Sequence, residues 1–277
     1  MEPWKIALPL AAYRCVPEHP KAAVLLLHGI GEHSGRHEDW MRRLCAAGYA
    51  AYIYDHRGHG HSSGTQGFVE RLEDLVDDSL EMRAAVFREH PGLPLFLTGN
   101  SMGGLIAARS VVRDPRGLSG VILLGPALLM GENLSPLAKR AAHLIARVLP
   151  RLPLVTLETA ALSRRSEVVQ AYRQDPLVYH GRVRAGTAAQ LVLAAESLWA
   201  HTEKWTLPTL ILHGTDDRIT FPDGSRRFYA QIASADKTFE EVPGGYHELF
   251  NDLEGERSMQ RALTWLDERT GTGPLDR

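Results

Sequence analysis

Long apolar runs are missing from this sequence. The candidates, such as Ala22-Ala23-Val24-Leu25-Leu26-Leu27 and Val121-Ile122-Leu123-Leu124, fall far short of the ~18–20 residues needed to cross a bilayer. The opening Met1-Glu2-Pro3-Trp4-Lys5 lacks the basic start and apolar core of a secretory leader. A soluble, cytoplasmic protein is therefore expected, with contact to a membrane surface left open. Cysteine is nearly absent: Cys15 and Cys45 are the only two. They are too few for a disulfide framework and read as free thiols of a reducing compartment, with a single bridge as the alternative. An excess of either charge is lacking too. Thirty-one Lys and Arg stand against 33 Asp and Glu, a net charge of −2, which offers no basic field to nucleic acid.

What is present is enough chain, 277 residues at 44% apolar, for one large core. After a short N-terminal hairpin, Val24-Leu25-Leu26-Leu27 is continuously apolar and ends at His28-Gly29. A run with no polar face suits a central parallel strand. Trp40, Met41, Leu44 and Cys45 then recur at helical spacing until Gly48. Ala50-Ala51-Tyr52-Ile53-Tyr54 is the next strand, and Leu72, Leu75, Val76, Ser79, Leu80 and Met82 the next helix. Leu95-Phe96-Leu97-Thr98 and Val121-Ile122-Leu123-Leu124 continue the pattern. Such alternation predicts a mostly parallel central sheet flanked by helices, an α/β class. It breaks over residues 127–204, which read as helices punctuated by Pro136, Pro150, Pro153 and Pro176. Strands resume at Thr209-Leu210-Ile211-Leu212 and Lys237–Val242, and a helix over 256–270 closes the chain. The expected organisation is one domain formed by 1–126 and 205–277, with 127–204 as a helical insertion after the sixth strand.

The chemistry starts at Gly99-Asn100-Ser101-Met102-Gly103-Gly104. Strand, tight turn and helix in that order are the context of the G-x-S-x-G nucleophile elbow. The glycines are needed because the turn is strained and a Cβ two residues from the serine would clash. A serine hydroxyl needs a base, and the base needs a carboxylate to orient it. In the α/β-hydrolase arrangement both follow the serine, acid first and His last. Here the later strands run into His213-Gly214-Thr215-Asp216-Asp217-Arg218 and Pro243-Gly244-Gly245-Tyr246-His247. Both lie at carboxyl ends of strands, where open α/β sheets collect their catalytic groups. His247 is the candidate base; Asp216 and Asp217 are both candidate acids on these grounds. The oxyanion hole needs main-chain N–H donors. Met102, after the serine, supplies one, and Ile30, in the turn His28-Gly29-Ile30-Gly31, supplies the other.

Taken together, His28-Gly29-Ile30-Gly31-Glu32-His33-Ser34-Gly35-Arg36, Asp55-x-Arg57-Gly58-His59-Gly60-x-Ser62, Gly99-x-Ser101-Met102-Gly103-Gly104, Gln174-Asp175-Pro176-Leu177, Gly214-x-x-Asp217-Arg218 and Gly245-Tyr246-His247 resemble the monoacylglycerol lipase family. The resemblance runs from about residue 20 to 265. It implies an α/β-hydrolase fold with a helical cap over an acyl-binding tunnel, a monoacylglycerol or similar lipid ester as substrate, and no metal or organic cofactor. It also selects Asp217 over Asp216, because the family carries its acid immediately before an Arg. The catalytic set is then Ser101, Asp217 and His247, with Ile30 and Met102 as oxyanion donors. Reaction through an acyl-enzyme to glycerol and free fatty acid follows. A lysophospholipase or general carboxylesterase would use the same triad, whereas a non-catalytic binding protein would typically have lost a triad member. One departure stands out: the family pattern has His before the serine, and this chain has Asn100.

Three further features have plainer readings. His56, His59 and His61 do not follow a zinc spacing and are expected to brace their loop. Glu32, His33 and Arg36 lie near the oxyanion turn, as entrance residues or as an ion pair. Between 134 and 154, Leu137, Ala141, Leu144, Ile145, Val148 and Leu149 share one side of a basic amphipathic helix, which either packs on the cap or lies in a membrane interface.

Overall fold

A computed structural model describes residues 1–130 and 136–271. One sheet of eight strands organises them. β1 (Glu2–Pro3) and β2 (Ala12–Cys15) are antiparallel additions at one edge. β3 (Ala22–Leu27), β4 (Tyr49–Tyr54), β5 (Leu95–Asn100), β6 (Leu118–Leu124), β9 (Thr209–Gly214) and β10 (Lys237–Val242) run parallel. Their order across the sheet is β1-β2-β4-β3-β5-β6-β9-β10.

The uninterrupted apolar runs are explained by burial on both faces. In β3, Ala23, Leu25 and Leu27 join one apolar cluster while Ala22, Val24 and Leu26 join the other, the two-residue alternation of a strand. The first cluster is completed by α2 (Leu72–Glu89), α3 (Met102–Arg113), α6 (Ala185–Leu198) and α7 (Pro222–Gln231), through Leu75, Leu105, Ile106, Leu191 and Phe228. The second is completed by α1 (Glu38–Ala46) and α8 (Gly255–Arg269), through Trp40, Met41, Leu44, Trp265 and Leu266. β10 is only half-buried at the far edge. Its Glu240 pairs with Arg261 and its Glu241 with Arg226, charges that keep an open edge from pairing with another chain.

Between β6 and β9, no strand among the described residues joins the main sheet. That stretch contains α4 (Pro136–Val148), α5 (Ser166–Gln174), α6 and, contrary to an all-helical expectation, a two-stranded antiparallel ribbon of β7 (Pro153–Val155) and β8 (Val183–Arg184). Strands this short carry no alternation to read, and β7 is exposed throughout. The helix expected to run to 154 stops earlier, as Pro150 and Pro153 follow it. Two members of its expected apolar side, Leu137 and Ala141, lie outside the described side chains. Leu144, Val148 and Leu149 are all more than half exposed.

Close approach, not turn preference, fixes the glycines around the start of α3. A Cβ on Gly103 would sit 2.0 Å from the carbonyl oxygen of Leu27, and one on Gly99 would sit 2.4 Å from that of Gly103. In an ordinary helix Gly→Ala stabilises by about 1 kcal/mol. Here the clash is with backbone that cannot give way, so Gly103→Ala should destabilise by about 3 kcal/mol or more. A denaturant melt that shows stabilisation would refute this packing.

Candidate active site

The elbow is strained as its spacing demands. Ser101 sits between β5 and α3 at φ 53°, ψ −117°, and is the only non-glycine residue with positive φ among the described residues. Its own backbone holds it there: the Ser101 N–H donates to Leu124 O at 3.0 Å, and Ser101 O accepts from Leu105 and Ala127. Met102 opens the helix, so its N–H has no intrahelical acceptor and lies at the positive end of the α3 dipole.

The turn after β3 passes directly against this serine; a Cβ on Gly29 would lie 3.2 Å from that of Ser101. Several groups hold the turn. His28 Nε2 accepts from His56 N–H at 2.9 Å, which leaves Nδ1–H to donate to Gly29 O at 2.7 Å. Burial, aided by His59, lowers the His28 pKa to about 4, so the ring stays neutral. Gly31 O accepts from Tyr179 N–H at 2.8 Å, and His33 Nε2 contacts Asp175 at 2.8 Å. The Gln174-Asp175-Pro176-Leu177 stretch thus anchors the turn that carries Ile30.

His247 follows β10 and is buried. Its Nδ1 donates to Asp217 Oδ2 at 2.7 Å. Asp217 Oδ1 accepts the N–H groups of Ile219 and Thr220 at 2.8 and 3.0 Å, and Oδ2 also accepts from Thr220 Oγ1 at 2.9 Å. His213 Nε2, bonded to Thr220 O, lies 3.2 Å from the same oxygen. Burial acts to raise the Asp217 pKa, but the His247 charge and the hydrogen bonds from His213 and His247 outweigh it and hold the carboxyl far below the usual range. For His247 burial acts downward, and Asp217, by charge and hydrogen bond, outweighs it and raises the pKa. Asp216 is exposed, and its carboxylate takes the Thr215 hydroxyl instead. Ser101, His247, Ile30 and Asn100 line one cavity of about 20 Å³, walled on the other side by Leu162 and Tyr172.

The same chain pattern occurs in known proteins. A family profile described as serine aminopeptidase, S33, matches residues 18–254. The monoacylglycerol lipase of Mycolicibacterium smegmatis is 36% identical over 247 residues, spanning 89% of this chain and 88% of that protein. The chain belongs to the monoacylglycerol lipase family of α/β-hydrolases. The human monoglyceride lipase is 34% identical over 91% of this chain and 84% of its own. The crystal structure of Paleococcus ferrophilus monoacylglycerol lipase superposes with a TM-score of 0.85 at 31% identity, covering 95% of this chain and all of that one.

All five expected site residues, Ser101, His247, Ile30 and Met102 from the elbow and strand-end reading and Asp217 from the family resemblance, fall at this one end of the sheet. Sequence reasoning missed His213 and Thr220, which converge on Asp217; the only signal was their closeness to it in the chain. In the histidine loop, His56 and His59 are buried beside His28. His61 is exposed, and its N–H donates to Asp55 Oδ2 at 2.8 Å.

Proposed function

We propose that this protein hydrolyses monoacylglycerols to glycerol and fatty acid, with Ser101 as nucleophile and His247 as base. The observation that carries the reading is the buried Asp217–His247 hydrogen bond at the cavity that also contains the strained Ser101. His247 Nε2 takes the serine proton as Oγ attacks the ester carbonyl. The N–H groups of Ile30 and Met102 hold the oxyanion, and the imidazolium then protonates the departing glycerol oxygen. Water, activated by the same imidazole, releases the fatty acid. Asp217 keeps the His247 proton on Nδ1 and stabilises the cation. Residues 127–204 act as the cap; they supply Leu157, Leu162 and Tyr172 to the cavity wall. Relatives whose names state monoacylglycerol as substrate favour that ester over a lysophospholipid. The test is turnover of a panel of acylglycerols, lysophospholipids and p-nitrophenyl esters. Preference for lysophospholipids would overturn the substrate assignment and leave the triad standing.

The base works only when neutral, so the rate falls as pH drops through the His247 pKa. Because that pKa is raised in the folded protein, the acid limb of kcat/KM is expected to have its midpoint above the reference value of about 6.5. A midpoint well below that, measured on a soluble ester, would argue against His247.

The cap also supports contact with lipid. No helix among the described residues is long and apolar enough to cross a membrane. Yet Leu144, Ile145, Val148, Leu149, Leu152 and Val155 are exposed together, beside exposed Arg147 and Arg151. This is the composition of a segment that lies in an interface. At about 25 cal/mol per Å² of apolar area, Leu144→Glu should weaken liposome co-sedimentation about tenfold while sparing turnover of a soluble ester. Unchanged sedimentation at low salt would end the membrane reading.

A further inference from the structure

Asn100, the residue by which the elbow departs from the family pattern, is buried and occupied. Its Nδ2 donates to Glu32 Oε1 at 3.1 Å. The same oxygen accepts the Gly29 N–H in a short hydrogen bond of 2.5 Å. One carboxylate oxygen therefore joins the residue before Ser101 to the residue before Ile30. The other oxygen faces His37 Nε2 at 3.2 Å and Arg36 Nε at 3.5 Å. Arg36 in turn reaches both oxygens of Glu248, at 2.7 and 2.6 Å, and Glu248 is the neighbour of His247. Glu32, Asn100 and Glu248 are each at most 6% exposed.

A buried carboxylate costs several kcal/mol unless it is paired and its lone pairs are filled. Glu32 is paired through Oε2 with Arg36 and His37 and hydrogen-bonded only through Oε1; burial acts to raise its pKa, and His37 and Arg36 more than offset it, so the group is ionised. A charged acceptor makes its hydrogen bonds short and roughly twice as strong as neutral ones. Its two bonds are spent on the elbow and on the oxyanion turn, the two pieces whose separation sets the distance from Ile30 N–H to the developing oxyanion. Asn suits this position because it presents an N–H₂ donor, whereas Asp would bring a second negative charge to the same carboxylate.

We propose that Glu32 is a positioning residue for the hydrolytic reaction: by accepting from both Asn100 Nδ2 and the Gly29 N–H, it locks the Ile30 donor in register with Ser101. The proposal rests on the triad and oxyanion reading above. Glu32 does not touch the reacting atoms; it acts through the turn. A purely structural ion pair would instead affect stability and leave catalysis alone.

The test uses the full chain and a soluble p-nitrophenyl ester. Asn100→Leu removes the donor at similar size, and Glu32→Leu removes the acceptor. Each is expected to lower kcat about 30–100-fold with KM within about twofold, the loss typical of a weakened oxyanion donor. Inhibition by a trifluoromethyl ketone, whose hemiketal oxyanion needs the same donors, should weaken in parallel. The double variant should lose little more than the worse single one, because both remove the same link. Asn100→His, which also offers an N–H, should retain kcat within about threefold. Should Asn100→Leu be too unstable to assay, Glu32→Gln, which loses the charge and keeps an accepting oxygen, carries the same readouts with a smaller loss in kcat, about tenfold. Unchanged kcat and ketone affinity, with only a lowered melting temperature, would overturn the proposal, as would losses confined to KM. If the parent itself neither turns over the ester nor labels at Ser101 with a fluorophosphonate, the triad reading has failed, and not this one.

Discussion

Ser101→Ala is expected to lower kcat by about 10⁴–10⁶ while leaving a folded protein, as removal of a triad nucleophile does. Without Oγ no acyl-enzyme forms, and only the residual catalysis of the oxyanion hole and substrate binding remains. Fluorophosphonate labelling should vanish with turnover. Labelling that persists in the variant would place the nucleophile elsewhere. Stability adds a second, independent readout. Ser101 is held at φ 53°, a region that costs a side-chain-bearing residue about 1–3 kcal/mol. Alanine keeps that strain and glycine releases it. Ser101→Gly should therefore be as inactive as Ser101→Ala yet more stable by about 1 kcal/mol, net of the extra freedom glycine gives the unfolded chain. Equal melting temperatures for the two would mean that the elbow is not strained in solution.

That strain explains why the elbow could be read from the chain. Gly99 and Gly103 are there because backbone passes within contact of their Cα atoms, a demand local enough to leave a fixed spacing. The central strands were legible for a similar reason: burial on both faces removes every polar residue from runs such as Val24-Leu25-Leu26-Leu27. Asp216 and Asp217 were not separable by local physics, since either suits a turn after β9. Burial separates them, and burial is a property of the assembled loop. The Glu32–Arg36 pair was among the readings of its loop, but its links to Asn100 and Glu248 were beyond reach. Arg36 and Glu248 are 212 residues apart, and Asn100 and Glu32 are 68 apart, so no periodicity links them. The β7–β8 ribbon left no trace because its strands, of three and two residues, are too short to show an alternation, and β7 is exposed throughout.

Asp217→Asn is expected to cost about 10⁴ in kcat at neutral pH, the scale seen when a triad aspartate loses its charge but keeps its shape. The side chain should stay in place, because the oxygen of the introduced amide can still accept the N–H groups of Ile219 and Thr220 that now bind the carboxylate. The amide nitrogen then takes the position of Oδ2. It can donate to Thr220 Oγ1, which has Gly125 O as its alternative acceptor. It cannot accept from His247 Nδ1. The imidazole then either loses that bond or moves its proton to Nε2, the nitrogen that must be free to receive the serine proton. A further sign follows for pH. With the Asp217 charge gone, burial of His247 is no longer outweighed, and its pKa falls. The small remaining activity should therefore persist to lower pH than in the parent. The melting temperature should drop by only a few degrees, since the amide leaves one unfavourable meeting, with His213 Nε2. Asp216→Asn is the control: exposed and bonded through its side chain to Thr215, Asp216 is dispensable, and the variant should keep full activity. The reverse result, with Asp216→Asn crippled and Asp217→Asn keeping more than a tenth of the parent kcat, would remove Asp217 from the triad.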